Sequence, residues 1–232
     1  MVLTAVEAVL AQTYSPIEVI VVDDGSTDGT QQRVQERFGD ACQYVFIEHT
    51  GLPAVARNAG LEKASGLFIA FCDSDDVWLP TKLSTQMSAL LDTDYNCSSA
   101  DAYIGESSHT YLQEYRFAYA DYRRNLLWDN FFITSSVVIR RDVIGNRRFT
   151  TKPHFRGYED YCLWLSLISE LNIIHLPSPL LCYTRHPGNV SKAVRHHDAV
   201  VQLRIILRTP AYLRYPLLGL KKLIRYLFHT LQ

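Results

Sequence analysis

Three carboxylates stand in four residues in the run Asp73-Ser74-Asp75-Asp76, directly after the apolar stretch Leu67 to Phe71. Acids packed that closely repel, and they raise one another's pKa values unless a cation lies between them. Oxygen ligands of this kind suit Mg²⁺ or Mn²⁺, which keep some waters and take other ligands from substrate phosphates. A solvated turn capping the next helix is the plainer alternative. A second acidic turn, Asp23-Asp24-Gly25-Ser26-Thr27-Asp28-Gly29, closes the apolar run Ile17 to Val22. There a carboxylate can accept from a base edge or a ribose hydroxyl, while Gly25 and Gly29 permit close backbone approach. An ordinary capped strand–helix turn fits the same residues.

Glu159 and Asp160 follow Gly157 and precede the helical stripe Leu163, Leu167, Leu171. Acids are favoured at a helix start by its dipole, and either one is also a candidate general base for an acceptor hydroxyl. Arg185 and His186 come before the turn Pro187-Gly188-Asn189 and are candidate contacts for a diphosphate or leaving group, or else a solvated basic loop. Trp78, beside the acidic run, is the tryptophan placed to line a pocket. The other histidines show no metal-ligand spacing, and Cys72 has no base partner for nucleophilic work. Neither GxGxxG nor GxxxxGK[ST] occurs, which argues against nicotinamide and P-loop chemistry.

The elements that must hold these groups alternate. A helix with Thr4 and Glu7 in capping-box spacing precedes a strand over Ile17–Val22. A helix capped by Ser26 or Thr27 reaches about Phe38, and a strand spans Tyr44–Ile47. A helix over Ala54–Ala64, a strand over Leu67–Phe71 and a helix from Pro80 to about Leu91 follow. Both acidic clusters fall at carboxyl ends of strands, where open α/β sheets place ligands. The fold class expected is therefore α/β, a Rossmann-like, mostly parallel sheet with helices on both faces. Further on, 103–132 reads as a variable stretch with a Tyr-rich insert or lid over His109–Tyr122. Phe132–Ile139 is strand-like, Asp160–Leu171 helical and Asn172–Tyr183 strand-like despite Pro177 and Pro179. Helices near 190–208 and 211–231 close the chain.

The 232 residues are 47% hydrophobic with a net charge of -1, which gives no support to nucleic-acid binding. Five scattered cysteines without a CxxC pair argue against both a disulfide scaffold and a zinc module. No run of about 18 apolar residues is present, and the start lacks a secretory layout. Composition thus points to a cytoplasmic protein. From Arg185 onward there are nine Lys or Arg residues against one acid, Asp198. This divides the chain into a compact domain, 1–190, and a basic amphipathic helical tail, 191–232, suited to an anionic membrane surface on its cytoplasmic side.

Five segments taken together resemble family 2 of the inverting, nucleotide-sugar-dependent glycosyltransferases with the GT-A fold. They are EAVLAQTYSPIEVIVVDDGSTDGT (Glu7 to Thr30), GLPAVARNAGLEKASGLFIAFCDSDDVWLPTKL (Gly51 to Leu83), ITSSVVIRRDVI (Ile133 to Ile144), GYEDYCLWLSL (Gly157 to Leu167) and CYTRHPGNVS (Cys182 to Ser191). The resemblance covers about residues 5–192 in the family's order and implies a GT-A catalytic domain over 1–190. It implies Asp24 at the nucleotide base with Asp23 supporting the turn, and Asp73 and Asp75 as the pair facing ribose, diphosphate and a Mg²⁺ or Mn²⁺ ion. Asp76 is implied as an acceptor-side or supporting carboxylate, Asp160 as catalytic base with Glu159 beside it, and His186 near the diphosphate; Trp78 is the pocket residue that would join Asp76 on the acceptor side, and Arg185 remains a candidate diphosphate contact. The expected reaction moves a sugar from a nucleotide-sugar, a UDP-sugar, to a glycan or lipid-linked acceptor with inversion, in cell-surface polysaccharide biosynthesis. A degenerate sugar-nucleotide-binding or scaffold protein and a nucleotidyltransferase are the alternatives. The family pattern also has, ahead of the first helix, a strand of the type VSVIIPTYN that walls the nucleoside pocket, whereas this sequence begins inside that helix region. A downstream start, a truncated product and a replacement strand are the competing accounts, the first two favoured over the third. An extended chain is expected to be more stable and to bind donor better.

Overall fold

The structure, a computed structural model, describes residues 1–105, 107–114, 121–185 and 199–230. Helix α1 (Val2–Leu10) leads into β1 (Ile20–Asp24), α2 (Thr30–Phe38), β2 (Gln43–Ile47) and α3 (Pro53–Lys63). Strands β1 and β2 pair in parallel, with Ile20 opposite Gln43 and Asp24 opposite Ile47. Successive strand residues point to opposite faces. Val21 therefore packs with Val6 of α1 and Val34 of α2, while Val22 meets α3, where a Cβ on Gly60 would lie 3.5 Å from its Cγ2.

A second sheet has the order β3-β6-β5-β7-β4. Its strands are β3 (Phe68–Ala70), β4 (Val77–Trp78), β5 (Cys97–Ile104), β6 (Val138–Arg140) and β7 (Ile173–Tyr183). Helix α4 (Lys82–Leu90) follows β4, short α5 (Tyr111–Glu114) and α6 (Tyr122–Trp128) follow β5, and α7 (Arg141–Ile144) and α8 (Glu159–Leu167) follow β6. Ile139 is buried with Ile69 and with Leu163 and Trp164 of α8. Its neighbour Val138 faces the other way, onto Leu83 and Met87 of α4. Helices again cover both faces.

The long ladders, β1–β2 and β5–β7, are parallel as expected. The short pairs β3–β6, β5–β6 and β4–β7 are antiparallel, so the sheet is mixed. The acidic turn joining β3 to β4 is too short for the crossover that parallel neighbours need, and β4 runs to the far edge instead. In the β5–β7 ladder the register shifts between Ala100 and Asp101, just where Pro177 and Pro179 withhold N–H donors.

Local expectations differ at several ends. Helix α1 starts before Thr4 with no side-chain cap, and Glu7 pairs with Arg37 instead of closing a capping box. Gly29, at φ 80, precedes α2 in place of Ser26 or Thr27, and the Asp28 carboxylate accepts from Thr30 N at 3.1 Å at the helix start. Helix α4 starts at Lys82, later than Pro80. Much of the strand expected over Phe132–Ile139 is a short 3₁₀ turn, Thr134–Ser136.

The last helices, α9 (Ala199–Arg208), α10 (Ala211–Arg214) and α11 (Pro216–Thr230), dock on this core. Val201, Ile205, Tyr212 and Leu218 join the buried cluster around Trp164 and Leu127. Lys222 is fully buried. Its Nζ donates to Leu127 O and to Tyr212 Oη, each at 3.2 Å, and also to Tyr161 Oη.

Candidate active site

The carboxyl end of β1 carries two carboxylates with separate duties. Asp23 is 6% exposed, accepting from Ser26 N at 2.8 Å and from the Tyr44 hydroxyl. Burial pushes its pKa up, but these hydrogen bonds outweigh that and hold it below the ordinary aspartate range. Asp24 reaches across to the loop before α3. It accepts from Thr50 N at 2.8 Å and Thr50 Oγ1 at 2.9 Å on one oxygen, and from Gly51 N at 2.7 Å on the other. A carboxylate offers about four lone pairs, so roughly one remains for a ligand. Gly25, at φ +74, lets the two loops touch, since a Cβ there would lie 2.7 Å from His49 Cβ and 2.8 Å from His49 N. Gly25→Ala is accordingly expected to cost about 2 kcal/mol or more, by combining left-handed strain with a backbone clash. Urea unfolding checks it, and an unchanged midpoint would contradict the close approach.

The turn after β3 carries the other acids. Asp73 donates its N–H to Ser135 Oγ at 2.9 Å, and its carboxylate accepts from Arg57 Nη2 at 2.8 and 3.1 Å. Asp75 lies half-buried two residues on. Asp76, expected as an acceptor-side or supporting carboxylate, and Trp78, expected to line a pocket, are both buried. Asp76 is 1% exposed and Trp78 is 4% exposed. Asp76 accepts from Thr184 N at 2.9 Å, and Trp78 donates to Ser135 O at 3.0 Å. Pairing of β4 with β7 draws both inward, so they brace the turn and offer no face to an acceptor. Burial, with the negative charge of Asp73 acting in the same direction, pushes Asp76 up to about 7.

Helix α8 brings the third acidic pair to the same place. Glu159, buried, accepts from Gly157 N at 2.6 Å and from Arg57 Nη1 at 3.1 Å. Asp160 accepts from Asn130 Nδ2 at 3.1 Å and Thr134 Oγ1 at 3.2 Å on Oδ2, and from Tyr161 N at 2.6 Å on Oδ1. Oδ2 thus receives two donors and Oδ1 one, which leaves Oδ1 the freer proton acceptor. Burial and the neighbouring Glu159 charge raise Asp160 to about 6, against the pull of Arg57.

Two ties therefore join acids that lie far apart in sequence. Arg57 forks between Asp73 and Glu159. The adjacent pair Thr134-Ser135 holds Asp160 through one hydroxyl and the Asp73 amide through the other. Sequence reading missed Arg57, Asn130, Thr134 and Ser135. For Arg57 a signal was present: it is a lone arginine in a helix of mostly small residues whose one acid, Glu62, is five positions away. Such a group is either solvated or paired with an acid on another element.

Arg185 gives its guanidinium to Glu114 in a two-pronged pair, 3.1 and 2.6 Å, so in this structure it faces the α5 insert. It still lies beside the cleft, since Thr184 binds Asp76. His186 lies outside the described residues. Among those described, no three His, Cys, Asp or Glu side chains converge to enclose a metal. Asp73 and Asp75 supply the oxygen donors that Mg²⁺ and Mn²⁺ take together with phosphates and water, although both Asp73 oxygens here accept from Arg57.

This sheet arrangement, with acids gathered at its strand ends, is that of the GT-A fold. In fold it is similar to S. aureus TarS 1-349 in complex with UDP-GlcNAc, with TM-score 0.69, 17% identity, and coverage of 90% of this chain and 63% of that one. It is also similar to the mannosyltransferase PcManGT from Pyrobaculum calidifontis in complex with GDP-Man and Mn²⁺, with TM-score 0.64, 20% identity, and coverage of 98% and 70%. The chain belongs to glycosyl transferase family 2, whose model matches residues 1–147. Among curated relatives, the Escherichia coli UDP-Glc:alpha-D-GlcNAc-diphosphoundecaprenol beta-1,3-glucosyltransferase WfgD is 32% identical over 186 residues, 77% of this chain and 68% of that protein. The putative teichuronic acid biosynthesis glycosyltransferase TuaG of Bacillus subtilis is 32% identical over 172 residues, 71% of this chain. The chain spans 66% of TuaG's length.

Proposed function

We propose that this cleft transfers a sugar from a UDP-sugar to a glycan or lipid-linked acceptor, with inversion at the anomeric carbon, in cell-surface polysaccharide assembly. The observation that carries the reading is the double tie of Asp73 to Glu159 and Asp160 through Arg57 and Thr134-Ser135. It gathers a donor-side and an acceptor-side acid at one place. The UDP-sugar and lipid-linked acceptor named for WfgD support the substrate classes.

Asp160 acts as the base. An acceptor hydroxyl gives its proton to Oδ1 as its oxygen attacks the anomeric carbon, and the bond to the diphosphate breaks with its electron pair remaining on the nucleoside diphosphate. Attack opposite the leaving group inverts the configuration. Glu159, held by Arg57 and Gly157 N, positions the start of α8 and raises the basicity of Asp160. Asp24, on its remaining lone pair, meets the nucleobase, and Asp23 holds the turn. Asp73 and Asp75 would hold Mg²⁺ or Mn²⁺, which supplies charge neutralisation at the leaving diphosphate.

The test is a transfer assay with several nucleotide sugars, Mn²⁺ or Mg²⁺, and lipid-diphosphate-linked sugar acceptors. UDP release that depends on acceptor and stops with chelator is expected. Donor binding without turnover under every condition would favour a binding protein. A base raised to about 6 must also be ionised to work, so kcat/KM is expected to fall below about pH 6 as Asp160 takes up a proton. An acid limb near an ordinary aspartate value would contradict the burial of the base.

A further inference from the structure

The last three helices bury one face in the core and leave the other unpartnered. On α9, Val201 and Ile205 are buried, while Leu203 and Leu207 are exposed at 38% and 76%. On α10 and α11, Leu213, Leu217, Leu220 and Ile224 are exposed at 84, 72, 54 and 42%. The spacing of the last three is that of one helical stripe. Elsewhere large exposed apolar side chains are scattered singly, which is ordinary, whereas this concentration is not.

The same surface is cationic. Residues 199–230 contain no Asp or Glu, and Arg204, Arg208, Arg214 and Lys221 are exposed. The loop 152–156 exposes Lys152, His154 and Arg156 and meets α9 through Phe155. Arg208 lies 5.3 Å from the Phe155 ring, and the His154 and Phe155 ring centroids are 4.4 Å apart. Partial desolvation and the charges of Arg204, Arg208 and Lys152 lower the His154 pKa. Among the described residues, none of these cations has an acidic partner within an ion-pair distance.

We propose that the outer face of α9–α11, together with loop 152–156, docks the protein on an anionic lipid bilayer, with the leucines entering the interface and the cations meeting headgroup phosphates. Leucines and cations interleaved without acids are what an anionic interface satisfies at once. A second copy of the chain would set like charge against like charge across a two-fold axis. Lys152 and Arg156 also line a narrow pocket with Glu159, so the docked surface runs up to the cleft. If the transfer reading holds, this brings the cleft to the level at which a lipid-linked acceptor presents its phosphates, but the docking itself does not rest on that reading.

The experiment is vesicle co-sedimentation of the full chain, which reads binding and no turnover. Vesicles of phosphatidylcholine with about a third phosphatidylglycerol should pellet the protein, pure phosphatidylcholine should not, and high salt should release it. The exposed-site variants L207S/L213S/L217S and R204Q/R208Q should each weaken partition about tenfold or more with Tm unchanged. Equal pelleting on both vesicle types, or variants that pellet like the parent, would overturn the proposal. So would a dimer in gel filtration that dissociates in the leucine variant.

Discussion

Asp160→Asn is expected to lower kcat by about 10²–10⁴-fold, the contribution of a positioned general base, while donor affinity stays within about twofold. The amide keeps the shape and can still meet Asn130, Thr134 and Tyr161 N after adjustment, but it cannot take the acceptor proton. The same change is expected to stabilise the protein. Folded Asp160 holds its proton up to about pH 6, whereas the ordinary value is 3.8. Between those values the folded state binds more protons than the unfolded one, so stability falls as pH rises through the window. At pH 7 the charged form carries its full burial cost, and Asn removes it. A raised Tm at pH 7, absent at pH 4, together with lost turnover, is the signature. Lost donor binding, or a lowered Tm, would contradict the role given to Asp160.

Arg57→Met is expected to damage both the fold and the site. It leaves Glu159 and Asp73 facing each other and Asp160 without their shared cation, and removing one partner of a buried ion pair costs about 3–5 kcal/mol. Stacking of the guanidinium over Phe149, at 5.5 Å, goes with it. Arg57 also pulls the Asp160 pKa down, so whatever activity survives should need a higher pH. Arg57→Lys should rescue only part, because a single ammonium cannot fork to two carboxylates. Denaturant midpoints and the acid limb of kcat/KM measure the two effects. A Lys variant indistinguishable from the parent would show that the fork does not matter.

Much of the site was legible because its acids break apolar runs. Asp23-Asp24 and Asp73-Ser74-Asp75 end strands, and Glu159-Asp160 start a helix, so local pattern alone placed them at element ends. What the pattern could not give was depth. Asp76 and Trp78 look like their neighbours in sequence, yet pairing of β4 with β7 buries them. Arg57 hides inside a regular helix, and its role depends on two acids 16 and 102 residues away. The mixed sheet comes from β6 running antiparallel to both β3 and β5, and β4 antiparallel to β7, directions that hydrophobic runs do not reveal. For the basic tail, helical period was readable, but which face docks on Trp164 and Leu127 depends on the partner surface. Lys222, a charge by sequence, turns out to be a fully buried donor to Leu127 O and two tyrosines.

The central claim is that donor-side and acceptor-side acids share one cleft. A diffraction structure of the chain with a UDP-sugar and Mn²⁺ tests it most directly. The account predicts the diphosphate and metal at Asp73 and Asp75, the nucleobase on the remaining lone pair of Asp24 beside the Thr50-Gly51 loop, and the anomeric carbon facing Asp160 Oδ1 across space for one hydroxyl. A donor bound with its anomeric carbon turned away from Asp160, or seated on another part of the sheet, would contradict it.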